Sequence, residues 1–326
     1  MKRLKPMVLA ITLLVLPMTA ALAKGSGYIF VSSEKDNAVT VLDGKSYAVV
    51  KVIPTGERPR DMQFNIDKTL LYVIASDDER VDVIDLDRLA VIDSIPVGED
   101  PEMFALSPDG KRFYVSNEED ARVSVIDVAS KETIAEIEVG EEPEGVRLSP
   151  DGKTLYVTSE VANMVHVVDV ATHEIKANIV VGNRPRRFAI TPDGSEIWVT
   201  NELGGSVTVL DGNQHKAIAT VDFRPKGFRA EDITPVGITM TQDGKTAFVT
   251  LGRANHVAVV DVASRAVEDF ILVGSRAWGA TLNRDESLLF VANGLSDDLS
   301  IVDVARRKAL KSVPVGRVPH TVVIDD

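Results

Sequence analysis

The side chains with most capacity for chemistry in this 326-residue sequence sit in short loops that recur at a set spacing. Glu57-Arg58-Pro59-Arg60 is basic on balance, and Glu99-Asp100-Pro101-Glu102 and Glu141-Glu142-Pro143-Glu144 are wholly acidic. Arg184-Pro185-Arg186-Arg187 is strongly basic, and the remaining loops contribute Arg224, Lys226, Arg229, Arg276, Trp278, Arg317 and His320. Five consecutive loops therefore lean positive and two lean negative. Guanidinium groups gathered on one side can hold carboxylates through paired, charge-assisted hydrogen bonds, and a concave site focuses such a field even in an acidic protein. The residue directly after each proline position is Arg60, Glu102, Glu144, Arg186, Val236, Trp278 or His320. One repeat position with divergent identities is what binding positions on a rigid scaffold show. The ligand-binding candidates are Arg60, Arg186, Arg187, Arg229, Arg276, Trp278 and His320; no catalytic set and no metal set is assigned. As surface cations, Arg186 and Arg187 should be replaceable without loss of the fold.

Other chemistries find little support. The five histidines, His166, His173, His215, His256 and His320, are scattered, and only His320 falls in a proline-led loop. No paired-His metal motif, Gly-x-Ser-x-Gly elbow or phosphate-binding glycine loop is present. Absence of cysteine excludes disulfides, thiolate metal sites and covalent c-type haem attachment. Lys2, Arg3 and Lys5, the apolar run Met7 to Leu16, Pro17 and Ala21-Leu22-Ala23 read as a signal peptide cleaved after residue 23. The apolar run is too short for a span of roughly 20 residues, so no membrane span is expected in the mature chain. The 36 Lys and Arg less the three in that segment leave 33 against 49 Asp and Glu, a formal charge of −16. Phosphate neutralisation demands a basic face, so nucleic acid is excluded as a partner.

The elements that position these loops follow from self-similarity. An aromatic-Val pair recurs at Phe30, Tyr72, Tyr114, Tyr156, Trp198, Phe248 and Phe290, and an aspartate ends a Val-rich run at Asp43, Asp85, Asp127, Asp169, Asp211, Asp261 and Asp303. Both series step by 42 residues except for one step of 50. Each unit reads as four short strands; in the third these are Met103 to Leu106, Arg112 to Ser116, Arg122 to Asp127 and Thr133 to Val139. Residues 24–326 are therefore expected to form one all-β domain, a seven-bladed β-propeller of four-stranded blades. The chain begins with the second strand of a unit and ends with a lone first strand, His320 to Ile324, which should complete the N-terminal blade. The aspartates should accept amides buried in the following turn, and the eight-residue excess, with Phe223, Arg224, Lys226, Phe228 and Arg229, should add aromatics and cations to the mouth.

Tyr114-Val115-Ser116-Asn117, Tyr156-Val157-Thr158-Ser159 and Trp198-Val199-Thr200-Asn201 resemble the signature of the YVTN-family β-propeller repeats. Seven repeats behind a signal peptide resemble, more narrowly, the propeller associated with PQQ-dependent alcohol catabolism. That resemblance implies a periplasmic, non-enzymatic accessory with no intrinsic cofactor. PQQ would reach it as a ligand or through a partner: a quinoprotein dehydrogenase, a cytochrome or a transporter component. An anionic small molecule, which the basic loops suit, is the other ligand. Two classes stay open beside it. A metal-assisted lactonase of the propeller type would bind a divalent cation on carboxylates such as Glu102 and Glu144, and an electron-transfer partner would dock a redox protein.

Overall fold

The computed structural model describes residues 25–326; the expected signal segment lies outside them. Among the described residues, seven four-stranded antiparallel sheets form the blades, and helix is confined to two single 3-10 turns. The third blade is Pro101–Leu106, Arg112–Asn117, Arg122–Asp127 and Glu132–Glu138, within two residues of the expected boundaries. Alternation in each strand sends one set of side chains to each face of the sheet, and neighbouring blades bury those faces against each other. Between the second and third blades, Tyr72, Val83, Phe104 and Phe113 share one core, with the Tyr72 and Phe113 rings 4.8 Å apart edge to face. Outermost strands carry the exposed valines, such as Val49, Val50 and Val52.

Closure follows the expected route. Pro319–Asp325 pairs with Tyr28–Ser33, followed by Ala38–Asp43 and Val49–Pro54, so the two chain ends share one blade. The closing strand pairs the edge that Tyr28–Ser33 would otherwise leave open toward the channel. No helix among the described residues is long and apolar enough to cross a membrane.

Turn chemistry departs from expectation in one respect. Each strand-ending aspartate accepts amides of the following turn, as Asp127 does from Ala129 at 3.1 Å and Ser130 at 2.8 Å, but these turns are exposed rather than buried. Water can replace the carboxylate there. The eight-residue excess also behaves differently. Phe223 is fully buried and Phe228 packs beside it, in the core between the fifth and sixth blades with Ile233 and Leu251. The aromatics of the insertion fill a gap between blades instead of facing solvent at the mouth, because burying them removes apolar surface from water.

Candidate functional site

Six of the residues that follow the proline positions are placed by the same local device. In six of the blades the innermost strand opens with a bulge, so that two residues oppose one on the next strand. The bulged pairs are Arg60-Asp61, Glu102-Met103, Glu144-Gly145, Arg186-Arg187, Trp278-Gly279 and His320-Thr321. A bulge re-aims side chains, and here it points the first of each pair into the mouth. In the first, third, fourth and fifth blades a hydroxyl stands opposite the bulge and holds it, whereas Ile74 and Ala292 take that place in the second and seventh. Thr158 Oγ1 accepts from Gly145 N at 2.7 Å in its own blade and donates to Arg186 O at 2.9 Å in the next. Ser32, Ser116, Thr200 and Thr250 donate in the same way to the carbonyls of Arg60, Glu144, Val236 and Trp278. Where the repeat motif carries a hydroxyl it is thus a bolt between blades, and it fixes the backbone of Arg60, Glu144, Arg186, Val236 and Trp278.

Arg60, Arg186, Arg187, Arg276, Trp278 and His320 do converge, but not as an uncompensated basic arc. Arg60 and Arg186 are buried and held by carboxylates. Arg60 pairs with Glu102 and lies 3.4 Å from Glu34; Arg186 lies 2.9 Å from Glu144, pairs with Glu160, and reaches Glu202 at 3.6 Å. Arg58 binds Asp100 at 2.8 Å and Glu102 at 3.3 Å, and Arg184 binds Glu160 at 2.6 Å. Glu34, Glu118, Glu160 and Glu202 were not among the sequence candidates. Their signal was available: each lies four residues after the repeat aromatic, at the end of the second strand. That strand runs antiparallel to the innermost one, so its end lies beside the start of the next, at the mouth.

Burial corrects a second expectation. Arg186 and Arg187 read as replaceable surface cations, yet both are under a tenth exposed. Reversing Arg186 would strand three carboxylates, and breaking a buried pair from one side costs about 3–5 kcal/mol. Arg187 turns away from the mouth and donates to His320 Nε2 at 2.9 Å, while Arg60 Nε approaches the same nitrogen at 3.4 Å. Burial and three flanking arginines hold the imidazole well below its ordinary pKa, so His320 is neutral and adds no positive charge. Two donors at Nε2 assign its proton to Nδ1, 2.9 Å from Thr321 Oγ1. Arg229 is not part of the cluster: its exposed guanidinium folds back on Asp232 at 2.9 Å and Glu231 at 3.1 Å. The three-residue spacing of Arg229 and Asp232 makes that local pair the shorter reach.

The carboxylates divide by environment. Burial, only partly offset by Arg60, pushes Glu102 well above the usual range, and Glu144 adds to the shift. Burial acts on Glu144 as well, but Arg186 and Arg60 outweigh it and hold that carboxyl at about 2. Glu118 is raised by burial and by Glu144, and Glu160 is raised to about 7 mainly by burial. Burial thus works against ionisation of Glu102 and Glu160, whereas the arginines keep Glu144 ionised.

A chamber of 290 Å³ lies above these pairs, walled by Glu34, Glu118, Arg253, Arg276 and Trp278 together with the paired groups. Arg276 stacks 4.6 Å from the Trp278 ring centre. The buried Trp278 indole N–H has no acceptor, and Arg253 and Arg276 have no carboxylate partner among the described residues. Two carboxylate groups, Asp100, Glu102, Glu118 and Glu118, Glu142, Glu160, bring their oxygens within 4.8 Å, the donor type a hard cation takes. They fit a metal poorly as built, because Arg58, Arg60, Arg184 and Arg186 already occupy Asp100, Glu102 and Glu160.

Two family profiles match separate parts of the chain: YNCE-like β-propeller over residues 20–149 and Lactonase, 7-bladed β-propeller over residues 170–314. A comparison with curated proteins finds no match. Among solved structures, the chain is similar to Kuenenia stuttgartiensis hydrazine synthase, at 22% identity and a TM-score of 0.79 over 86% of this chain and 94% of that one. It is similar to the Pseudomonas aeruginosa periplasmic gluconolactonase PpgL, at 22% identity and a TM-score of 0.78 over 92% and 99%. The dihydro-heme d1 dehydrogenase NirN, solved in complex with DHE, gives 17% identity and a TM-score of 0.70 over 91% and 75%. At these identities the likeness shows the fold alone.

Proposed function

We propose that this chain is a non-enzymatic binding propeller whose mouth takes a small carboxylate with a planar, unsaturated body. One observation carries the reading: the stacked Arg276–Trp278 shelf, with an indole N–H lacking an acceptor and Arg253 on the same wall. A buried donor without a partner costs free energy that a ligand oxygen would recover, and stacked guanidinium and indole faces suit a flat anion. PQQ, a planar tricarboxylate, is of this class, as are aromatic acids. The expected export signal and the repeat resemblance favour a periplasmic setting and a role in PQQ-linked alcohol catabolism, with a quinoprotein dehydrogenase as the partner on that reading.

The test is a thermal-shift and calorimetric screen of PQQ, aromatic acids and aliphatic carboxylates, since a ligand of the native state raises its melting point. Arg276→Ala is expected to weaken a planar carboxylate roughly tenfold or more, the worth of one charge-assisted contact. Trp278→Phe, which keeps the ring and removes the donor, should weaken it less, and Glu118→Gln, which removes an acid from the chamber wall, should not weaken it.

A metal-assisted lactonase is the second reading, favoured by the carboxylate groups around Glu118 and by the lactonase profile over the C-terminal half. It ranks behind because a cation would have to displace Arg58 or Arg184 from its carboxylates. Stabilisation by Ca²⁺ or Mn²⁺ that Glu118→Gln abolishes, with no response to any planar acid, would put this reading first.

A further inference from the structure

Below the mouth, the channel widens again into a separate lumen of 520 Å³. Its walls share no residue with those of the mouth chamber. Between the two lie the buried pairs of Arg60 with Glu102 and of Arg186 with Glu144, and the Arg187–His320 contact. These groups form a charged septum, so the lumen opens from the face opposite the mouth.

The lumen is lined by Lys68, Arg147 and Arg187 against a single acid, Asp61. That balance is unusual for a chain with a formal charge of −13. Lys68 is occupied by Asp325 at 3.6 Å. Neither Arg147 nor Arg187 has a carboxylate partner among the described residues. Arg187 is more than nine-tenths buried and its Nε has no acceptor, while Arg147 is open to water although protein surrounds it. The two come from adjacent blades, the fourth and the fifth. Gln63, Thr281 and Thr321 add an amide and two hydroxyls to the same walls. Asp61 accepts from Gln63 Nε2 at 3.3 Å and Phe104 N at 3.4 Å; its charge acts on both arginines but forms no direct ion pair with either.

We propose that this lumen is a second ligand site, independent of the mouth, which takes a small polyvalent oxyanion on Arg147 and Arg187. The chemistry suits inorganic phosphate or a short dicarboxylate, each able to offer oxygens to two guanidinium forks at once. Low-dielectric walls around a net positive lining concentrate such an anion against the overall charge of the protein. The lumen has no counterpart of the stacked Arg276–Trp278 shelf, so the two sites differ in the groups that would hold a ligand.

The experiment uses calorimetry and thermal shift on the intact chain in a buffer free of phosphate and carboxylate. Inorganic phosphate and succinate are the probes, and sodium chloride at matched ionic strength is the control. Either or both probes should bind the wild type with a response that chloride does not reproduce. Arg147→Gln, at a water-exposed position, should fold normally and weaken binding by about tenfold or more. Asp61→Asn, which removes the one negative charge of the lining, should tighten it. Arg276→Ala, at the mouth, should leave it unchanged. Absence of binding to the wild type, unchanged affinity in Arg147→Gln, or loss in Arg276→Ala would each overturn the proposal. Failure of the mouth reading would appear only in the planar-acid screen.

Discussion

His320 shows how a single side chain at the septum couples protonation to folding. It is buried among Arg187, Arg60 and Arg186 and stays neutral in the native state, whereas in the unfolded chain it titrates near pH 6.5. A native pKa below the unfolded one gives stability that is complete above about pH 6.5 and declines as the pH falls below it, because only the unfolded state takes up the proton. Glu102, Glu118 and Glu160 act in the opposite sense, since their native values are raised. They bind protons first in the native state, so their contribution grows as the pH falls, for Glu160 from about 7. The difference between wild type and His320→Gln isolates the histidine. In urea unfolding between about pH 8 and pH 5, the wild type should lose stability relative to the variant below about pH 6.5. Two parallel curves would mean that His320 carries the same charge folded and unfolded.

At the scale of the element, the bulge and its opposing hydroxyl decide where the mouth residues point. Thr158→Val preserves shape but leaves Gly145 N and Arg186 O, both buried, without their partner. A loss of about 1–3 kcal/mol is expected, the usual penalty for stranding buried polar groups. Asp127→Ala removes a carboxylate that serves amides in an exposed turn, which water can satisfy, so its loss should be smaller. Denaturant midpoints of the two variants give the order directly, and a more damaging Asp127→Ala would mean that the turn, rather than the bolt between blades, limits stability. The residue before each proline position reinforces the same geometry. Arg58, Arg184 and Arg276 adopt φ of 56°, 56° and 59°, a left-handed conformation that costs free energy outside glycine. Each is held by an asparagine side chain one loop earlier, as Asn255 Oδ1 accepts from Arg276 N at 2.9 Å.

For the whole molecule, stability depends on a ring closed by eight terminal residues. Deleting Pro319 to Asp326 removes the innermost strand of the shared blade together with His320. It exposes an unpaired strand edge and the apolar faces of two blades, including the core of Val31, Phe290, Leu299 and Val322. Insolubility or loss of a single cooperative transition is expected, a far larger effect than an ordinary terminal trim. Chromatography and a melting curve check this; a truncated chain that remains monomeric with unchanged melting would contradict closure by a shared blade.

Period, blade count, strand boundaries and closure were legible in the residues because each blade obeys the same local rules. Alternation, turn chemistry and the 42-residue step at Tyr114, Tyr156 and Trp198 state those rules repeatedly. Convergence of the proline-led loops was legible for the same reason, since repeat position sets which end of the channel a residue occupies. What tertiary structure alone decided was the partner of each charge. Arg60 and Arg186 meet carboxylates carried by neighbouring blades, and a string of loops read one by one cannot say which signs will touch across an axis. Burial was decided there too. Phe223 fills a gap between blades and Arg187 turns into the lumen, because desolvation depends on what the ring packs around a side chain and not on the residues beside it in the chain.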